Sequence, residues 1–202
     1  MPRITTVLRQ SRKAIQDLDL LKVLQSEIRC EQSLNPELDN QSGPTGDFVL
    51  DWDSPQSQDV VLRKKYESGE EVAVSALLGP EITCADSNSR RDVLMKICIK
   101  KPGLSSILQF DCGYSSEFDV HNAYYIPPSA CLHSSVYKGP SFSSLDPQLQ
   151  DELRNYLVSK GIDQSFGDFL LHRLHNKEQS QYLNWLRKLE AMVAGSESSF
   201  DN

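Results

Sequence analysis

The sequence predicts an α+β fold, and two changes of hydrophobic period along the chain carry that prediction. Apolar residues recur at spacings of three and four from about Ser11 to Leu34, alternate from Asp47 to about Tyr137, and return to helical spacing after Asp146. The central strands follow one another without crossover helices, so they pair as antiparallel neighbours with one face packed and the other wet.

The first helix carries Ile15, Leu18, Leu21, Leu24 and Ile28 on one stripe with no Gly or Pro inside, and Asn35-Pro36 ends it. Asn40 to Gly46 reads as a polar linker. Beyond it, Val60, Leu62 and Tyr66 alternate with Arg63 and Lys65. After Glu67-Ser68-Gly69-Glu70, a second run of Val72, Val74, Ala76 and Leu78 alternates with Glu71 and Ser75, which makes a β-hairpin. Val93, Met95, Ile97 and Ile99 form the next strand, Lys101-Pro102-Gly103 turns, and Leu108, Phe110, Cys112 and Tyr114 carry the strand after that. Phe118 to Ile126 and a short Cys131 to Tyr137 complete six or seven strands.

Asp146-Pro147 supplies an N-cap and a proline at the first helical position for a helix carrying Leu149, Leu153, Tyr156 and Leu157. Gly161 follows Lys160 where a left-handed residue closes a helix. Asp163 caps a second segment through Phe166, Phe169, Leu170 and Leu174. A third starts near Lys177 and bears Tyr182, Trp185, Leu186, Leu189 and Met192. Leu21, Leu24, Ile28, Tyr182, Trp185, Leu186 and Leu189 are therefore the expected core or oligomer stripe, with Trp185 as an anchor. Residues 11–194 read as one domain and 195–202 as a disordered tail.

Charge narrows the function classes. The net charge is −7; basic and acidic residues number 6 and 6 over 1–45, 9 and 13 over 46–145, and 6 and 9 over 146–202, so the acidity sits in the folded body. That balance disfavours gripping nucleic acid through its phosphates and favours basic protein partners. Asp151, Glu152, Asp163 and Asp168 make a candidate acidic face. The five cysteines are odd in number and form no C-x-x-C pair, as in a compartment that keeps thiols reduced. No apolar run is long enough for a membrane span. Residues 1–10 form a candidate targeting segment. Arg3, Arg9, Arg12 and Lys13 precede the first acid, Asp17, and Ile4, Val7, Leu8, Ala14 and Ile15 lie opposite the basic side. The alternative is that these residues begin the first helix.

Candidate chemistry is sparse. His172 and His175 stand at i, i+3 with Glu178 a turn further, but lack the H-E-x-x-H arrangement of a metal pair, so surface histidines are expected. His121 and His133 fall among strands near cysteines without a nucleophile signature. No phosphate loop, nucleophile elbow or dinucleotide fingerprint occurs. The expectation is a chain with no catalytic residues, no metal and no cofactor. Arg63, Lys65 and Lys100 are the candidate RNA contacts of a competing reading, although strand alternation splits the Arg63-Lys64-Lys65 and Lys100-Lys101 clusters between faces.

The carboxy-terminal third carries a resemblance. G-P-S-F-S-S-L-D at Gly139–Asp146, L-Q-D-E-L-R-N-Y-L-V-S-K-G-I-D at Leu149–Asp163, F-L at 169–170, K-E at 177–178 and Y-L-N-W-L at Tyr182–Leu186 resemble the mitochondrial glycoprotein family, also called the mitochondrial acidic matrix protein family. The hairpin L-R-K-K-Y-E-S-G-E-E-V-A-V at Leu62–Val74 falls in the family's order too. The resemblance implies a twisted antiparallel sheet of about seven strands, flanked by one amino-terminal and two to three carboxy-terminal helices. It further implies a homotrimer with an acidic face, a mitochondrial matrix location with nucleus or cytoplasm as the alternative, and a role in mitochondrial gene expression and oxidative phosphorylation. The partners it implies are basic proteins, RNA-associated proteins among them. It brings no active site to transfer.

Overall fold

The computed structural model describes residues 3–34, 47–83, 89–128, 137 and 139–195, and of 3–16, 34, 82–83 and 89–90 the backbone alone. The described residues form two compact units, one within 42–177 and one within 1–41 and 178–202.

The larger unit is built on six antiparallel strands forming a meander, in which each strand pairs with its successor in the sheet. They are β1 (Val49–Asp53), β2 (Val60–Lys65), β3 (Glu71–Leu78), β6 (Val93–Lys100), β7 (Ile107–Tyr114) and β8 (Phe118–Ile126). Two-residue strands β4 (Ile82–Thr83) and β5 (Ser89–Arg90) pair only with each other. The main sheet thus has six strands among the described residues, not seven. Gly79-Pro80 ends β3 and takes the chain out of the sheet before β6 resumes the pairing, and the candidate strand from Cys131 lies outside the described residues apart from an exposed Tyr137.

Alternation does what the sequence predicts. Val60, Leu62, Val72, Val74, Ala76, Val93, Met95, Ile97, Ile99, Phe110, Cys112 and Tyr114 all turn to one face and are buried. The β2–β3 turn is a type I turn with a left-handed third residue: the Gly69 N–H donates to the Tyr66 carbonyl at 2.9 Å, the Tyr66 N–H to the Glu70 carbonyl at 2.9 Å, and Gly69 has φ 82°. Opposite Asp111 and Cys112 of β7 the register slips, leaving His121 as an extra residue on β8.

Helices α2 (Pro147–Ser159) and the first turns of α3 (Gln164–Val193) cover the apolar face with Leu157, Phe166, Leu170 and Leu174. Both ends of α2 form as the sequence predicts. The Asp146 carboxylate accepts from the Gln148 and Leu149 amides, and Pro147 sits in the first turn. At the far end Ile162 N–H donates to the Leu157 carbonyl and Gly161 N–H to the Val158 carbonyl. Gly161 has φ 74°, and Leu157 and Ile162 are both buried. This pairing closes the helix with a hydrophobic contact across its last turn.

Two expected boundaries shift. The segments expected either side of residue 176 are one helix, because no Gly or Pro interrupts the chain from Asp168 to Ala194. The amino-terminal helix α1 runs Arg3–Leu34 and so starts eight residues before Ser11, there being no helix breaker in between.

In the smaller unit α1 packs antiparallel to residues 178–193 of α3. Leu24 and Ile28 bury with Leu186, while Leu189 and Val193 pack against them. Side chains fix the direction: Gln25 donates to Glu190 at 2.9 Å, Tyr182 to Glu27 at 3.2 Å and Gln179 to Glu31 at 3.1 Å, so residues ascending α1 meet residues descending α3. Leu18, expected in the buried stripe, is 56% exposed.

Gly167 makes the closest approach between helix and sheet. A Cβ there would lie 2.5 Å from the Tyr114 ring. Gly167→Ala should destabilise by roughly 1–3 kcal/mol, overpacking outweighing the helix propensity that alanine adds. Gly161→Val should cost about 1–2 kcal/mol through its left-handed backbone. Urea melts check both, and unchanged midpoints would refute the packing and backbone arguments respectively.

Candidate functional site

Three clusters of charge occupy the larger unit, and each is largely self-contained. The first joins the hairpin to the end of α2. Glu70, only 8% exposed, accepts from Lys160 at 2.5 Å and from the Tyr156 hydroxyl at 2.9 Å, while the Tyr66 hydroxyl donates to the Lys160 carbonyl at 2.9 Å. Ammonium groups and rings alternate through it. Lys64 lies 5.5 Å from the Phe48 ring centre and 4.9 Å from that of Tyr66, Lys160 lies 5.0 Å from both Tyr66 and Tyr156, and Lys101 lies 5.9 Å from Tyr156. Burial alone would raise the Glu70 pKa, but hydrogen bonds from Lys160 and Tyr156 and the charges of Lys160 and Lys101 bring it below its ordinary value. Burial and the Glu70 carboxylate push the Tyr156 phenol up to about 12.

The second cluster ties edge strand β1 to α3. Asp53 accepts from Arg173 at 2.7 Å and from Lys177 at 2.5 Å, and Lys177 also donates to the Asp59 carbonyl at 2.8 Å. Burial opposes ionisation of Asp53, but the two cations win and lower its pKa. The third cluster contains the candidate RNA contacts. Arg63 pairs with Asp51 at 2.9 Å and Glu71 at 3.8 Å, and Lys65 pairs with Glu71 at 3.1 Å. Lys100 stands directly opposite Glu71 in the β3–β6 register and lowers the Glu71 pKa further. These cations face two strand-borne carboxylates, Asp51 and Glu71, with Arg63 closer to Asp51.

The candidate acidic face separates into two kinds of residue. Asp151 and Glu152 are exposed on α2, Asp151 pairing with Arg154 at 3.0 Å. Asp163 caps α3, accepting from the Phe166 amide at 3.0 Å and the Ser165 hydroxyl at 2.6 Å, which lowers its pKa. Asp168 accepts from the Tyr114 hydroxyl at 2.5 Å, and burial and that carboxylate push the phenol up to about 12. Asp163 and Asp168 are thus parts of the fold. His172 bonds Asn176 at 3.3 Å, and burial, with Arg91 and His172, lowers the His175 pKa. Among the described residues no three His, Cys, Asp or Glu side chains converge as a metal site would need.

The expected helix stripe also separates. Leu24, Ile28 and Leu186 are buried, and Leu21 and Leu189 are half-buried. Trp185 is 54% exposed and Tyr182 38%, so Trp185 does not anchor the core of the protomer. The two rings stack on each other instead, 6.0 Å apart and 20° from parallel. Leu18, Leu20, Val23, Val49, Trp52 and Met192 add to the large apolar side chains left exposed.

A meander sheet with helices on one face, and an antiparallel helix pair, define an α+β protein whose described charges gather in ionic clusters. The sequence pattern of the mitochondrial glycoprotein family, MAM33, matches residues 78–193, more than half of the chain, and the chain belongs to that family. It is similar to the mitochondrial acidic protein mam33 of Schizosaccharomyces pombe, at 33% identity over 105 residues. That match takes in 47% of this chain and 39% of the fission yeast protein's length. An uncharacterized mitochondrial protein of Arabidopsis thaliana is 27% identical over 187 residues, 86% of this chain and 74% of its own length. Two solved structures share the fold. The Trypanosoma brucei p22 protein superposes with a TM-score of 0.71 at 19% identity, over 89% of this chain and 99% of its own. A Leishmania major protein described as a sequence homologue of human p32 gives 0.70 at 21%, over 88% and 99%.

Removing the Glu70 charge tests the first cluster. Glu70→Gln leaves Lys160 buried without a carboxylate and should cost on the order of 3 kcal/mol at pH 7, part of which Lys160→Met should restore in the double variant. The folded pKa of Glu70 lies below its ordinary 4.5, so its contribution is complete above about that pH and disappears as pH falls through the lower folded value. Glu70→Gln should therefore flatten the acid limb of stability against pH. Equal acid sensitivity in wild type and variant would show that the pair does not couple folding to protonation.

Proposed function

We propose that this chain is a non-catalytic, acidic, homotrimeric binding protein of the mitochondrial matrix. It holds basic partner proteins as an adaptor or chaperone-like factor in mitochondrial gene expression and oxidative phosphorylation. Family membership and the mitochondrial names of the fission yeast and plant relatives support the location. Among the described residues no helix is long and apolar enough to cross a membrane.

The observation that carries the proposal is how charge and apolar surface are left over once the fold is made. Arg63, Lys64, Lys65, Arg154, Lys160, Arg173 and Lys177 all engage carboxylates of the same unit, and the chain as a whole keeps a surplus of −7 for a partner to meet. Leu18, Leu20 and Val23 on α1 and Val49 and Trp52 on β1 remain exposed, and neighbouring copies of the chain would remove them from water. The RNA-binding reading loses support from the engagement of Arg63 and Lys65 with Glu71.

Light scattering on the purified chain should give three times 22.8 kDa, about 68 kDa, for a closed cyclic assembly. A monomer at micromolar concentration would refute the trimer. A carboxy-terminal fluorescent fusion should enter mitochondria, and replacing Arg9, Arg12 and Lys13 by Gln should prevent entry. A wild-type fusion that stays in the cytosol or nucleus would remove the matrix assignment.

A further inference from the structure

In the smaller unit, aromatic surface and acidic side chains meet on the helix pair. Glu178, Tyr182 and Trp185 follow at spacings of four and three, which sets them on one side of α3, and Glu27 and Glu31 stand at i, i+4 on α1. The Tyr182 hydroxyl donates to Glu27 at 3.2 Å and the Gln179 amide to Glu31 at 3.1 Å. Both donors are neutral, so they orient the carboxylates without cancelling their charge. This differs from the larger unit, where Glu70, Glu71 and Asp53 each face a lysine or arginine. Partial burial raises the Tyr182 pKa and the charges of Glu27 and Glu31 raise it further, as expected when both carboxylates face the phenol. Arg187, about 140° from Tyr182 and about 160° from Trp185 around the helix, points away from the ring pair, while Lys188 follows Trp185 at i+3 and borders the indole on the side away from Tyr182.

Exposed aromatic faces beside carboxylates are complementary to a cation with a flat or alkyl body. A guanidinium stacks on an indole and donates to an acid at its edge, while a lysine places its stem on the ring and its ammonium at the carboxylate. An acidic ligand is repelled at the same place, and a purely apolar segment would bury the charges of Glu27 and Glu31 unpaired. We infer that the Tyr182–Trp185 ring pair, with Glu27 and Glu31, is the receiving site for an arginine or lysine side chain of a basic partner protein. The inference rests on the reading of the chain as a holder of basic partners and names the contact. It moves the contact from Asp163, which caps α3, and Asp168, which accepts from Tyr114, to the carboxylates of the helix pair.

The full chain carries two tryptophans, and Trp52→Phe leaves Trp185 as the sole indole reporter. In that background a hexa-arginine peptide should change Trp185 emission at low salt and lose affinity as salt rises, whereas hexaglutamate should have no effect. Trp185→Ala, and separately Glu27→Gln with Glu31→Gln, should weaken hexa-arginine binding about tenfold by calorimetry, with scattering mass and melting temperature unchanged. Undiminished binding in these variants would overturn the inference and place the cations elsewhere on the acidic surface, leaving the general function standing. A fall in mass with Trp185→Ala would also overturn it, by making the ring a subunit contact. Failure of the wild-type chain to bind hexa-arginine at low salt would overturn both the site and the basic-partner reading.

Discussion

The contact between Tyr114 and the first turns of α3 sets the geometry of the larger unit. The ring lies so close to the helix backbone that residue 167 has no room for a Cβ, and the phenol is hydrogen-bonded to Asp168. With that spacing fixed, Phe166 reaches Phe48 at 4.7 Å between ring centres, and Leu170 and Leu174 fall in turn on the sheet's apolar face. Asp163 and Gly161 are what bring the chain to this point. The Gly161 turn ends α2 and the Asp163 carboxylate starts α3, with only Ile162 between them. A helix pressed this close to a sheet tolerates little change of volume at its contact residues.

Electrostatics follow from the same economy of space. Carboxylates lying beneath or beside helices are matched with lysine and arginine, because a buried charge without a partner is far more costly than an exposed one. Matching takes cations out of circulation. What remains outside is net acid, and a ring of three such chains would triple it. On the proposed function, binding of basic partners would be strongest at low ionic strength and of modest selectivity, any selectivity coming from contacts such as the proposed one at the aromatic pair on α3.

Much of the larger unit was legible because its signals are local. Period-two alternation over Val72–Leu78 and Val93–Ile99 identified both the strands and their buried side, and Asp146-Pro147 and Gly161 marked both ends of α2. The continuity of α3 was harder to read, since polar His175-Asn176 resembles a break, whereas only Gly or Pro would have supplied one. Trp185 shows the limit of a helical stripe. An apolar face wide enough to include Tyr182, Trp185, Leu186 and Leu189 tells which side is greasy, and only the partner helix decides that Leu186 and Leu189 are covered while Trp185 is not. The Glu70 cluster left no trace in the sequence, because Tyr156 and Lys160 lie 86 and 90 positions away. Asp163 and Asp168 illustrate the contrast. The cap was visible three residues ahead of its amide, and the bond to Tyr114, 54 residues distant, was not.

The burial of the sheet has a chemical corollary for its thiols. Burial, with Asp111 and Asp119, pushes Cys112 up to about 12, so the thiol form dominates there at pH 7. Burial likewise raises Cys98, while Cys30 is exposed on α1. Since the thiolate is the species that reacts with electrophiles and peroxide, the three described cysteines differ sharply in susceptibility. Among the three described cysteines, alkylating or oxidising agents should reach the exposed Cys30 on the amino-terminal helix before the thiols of the sheet.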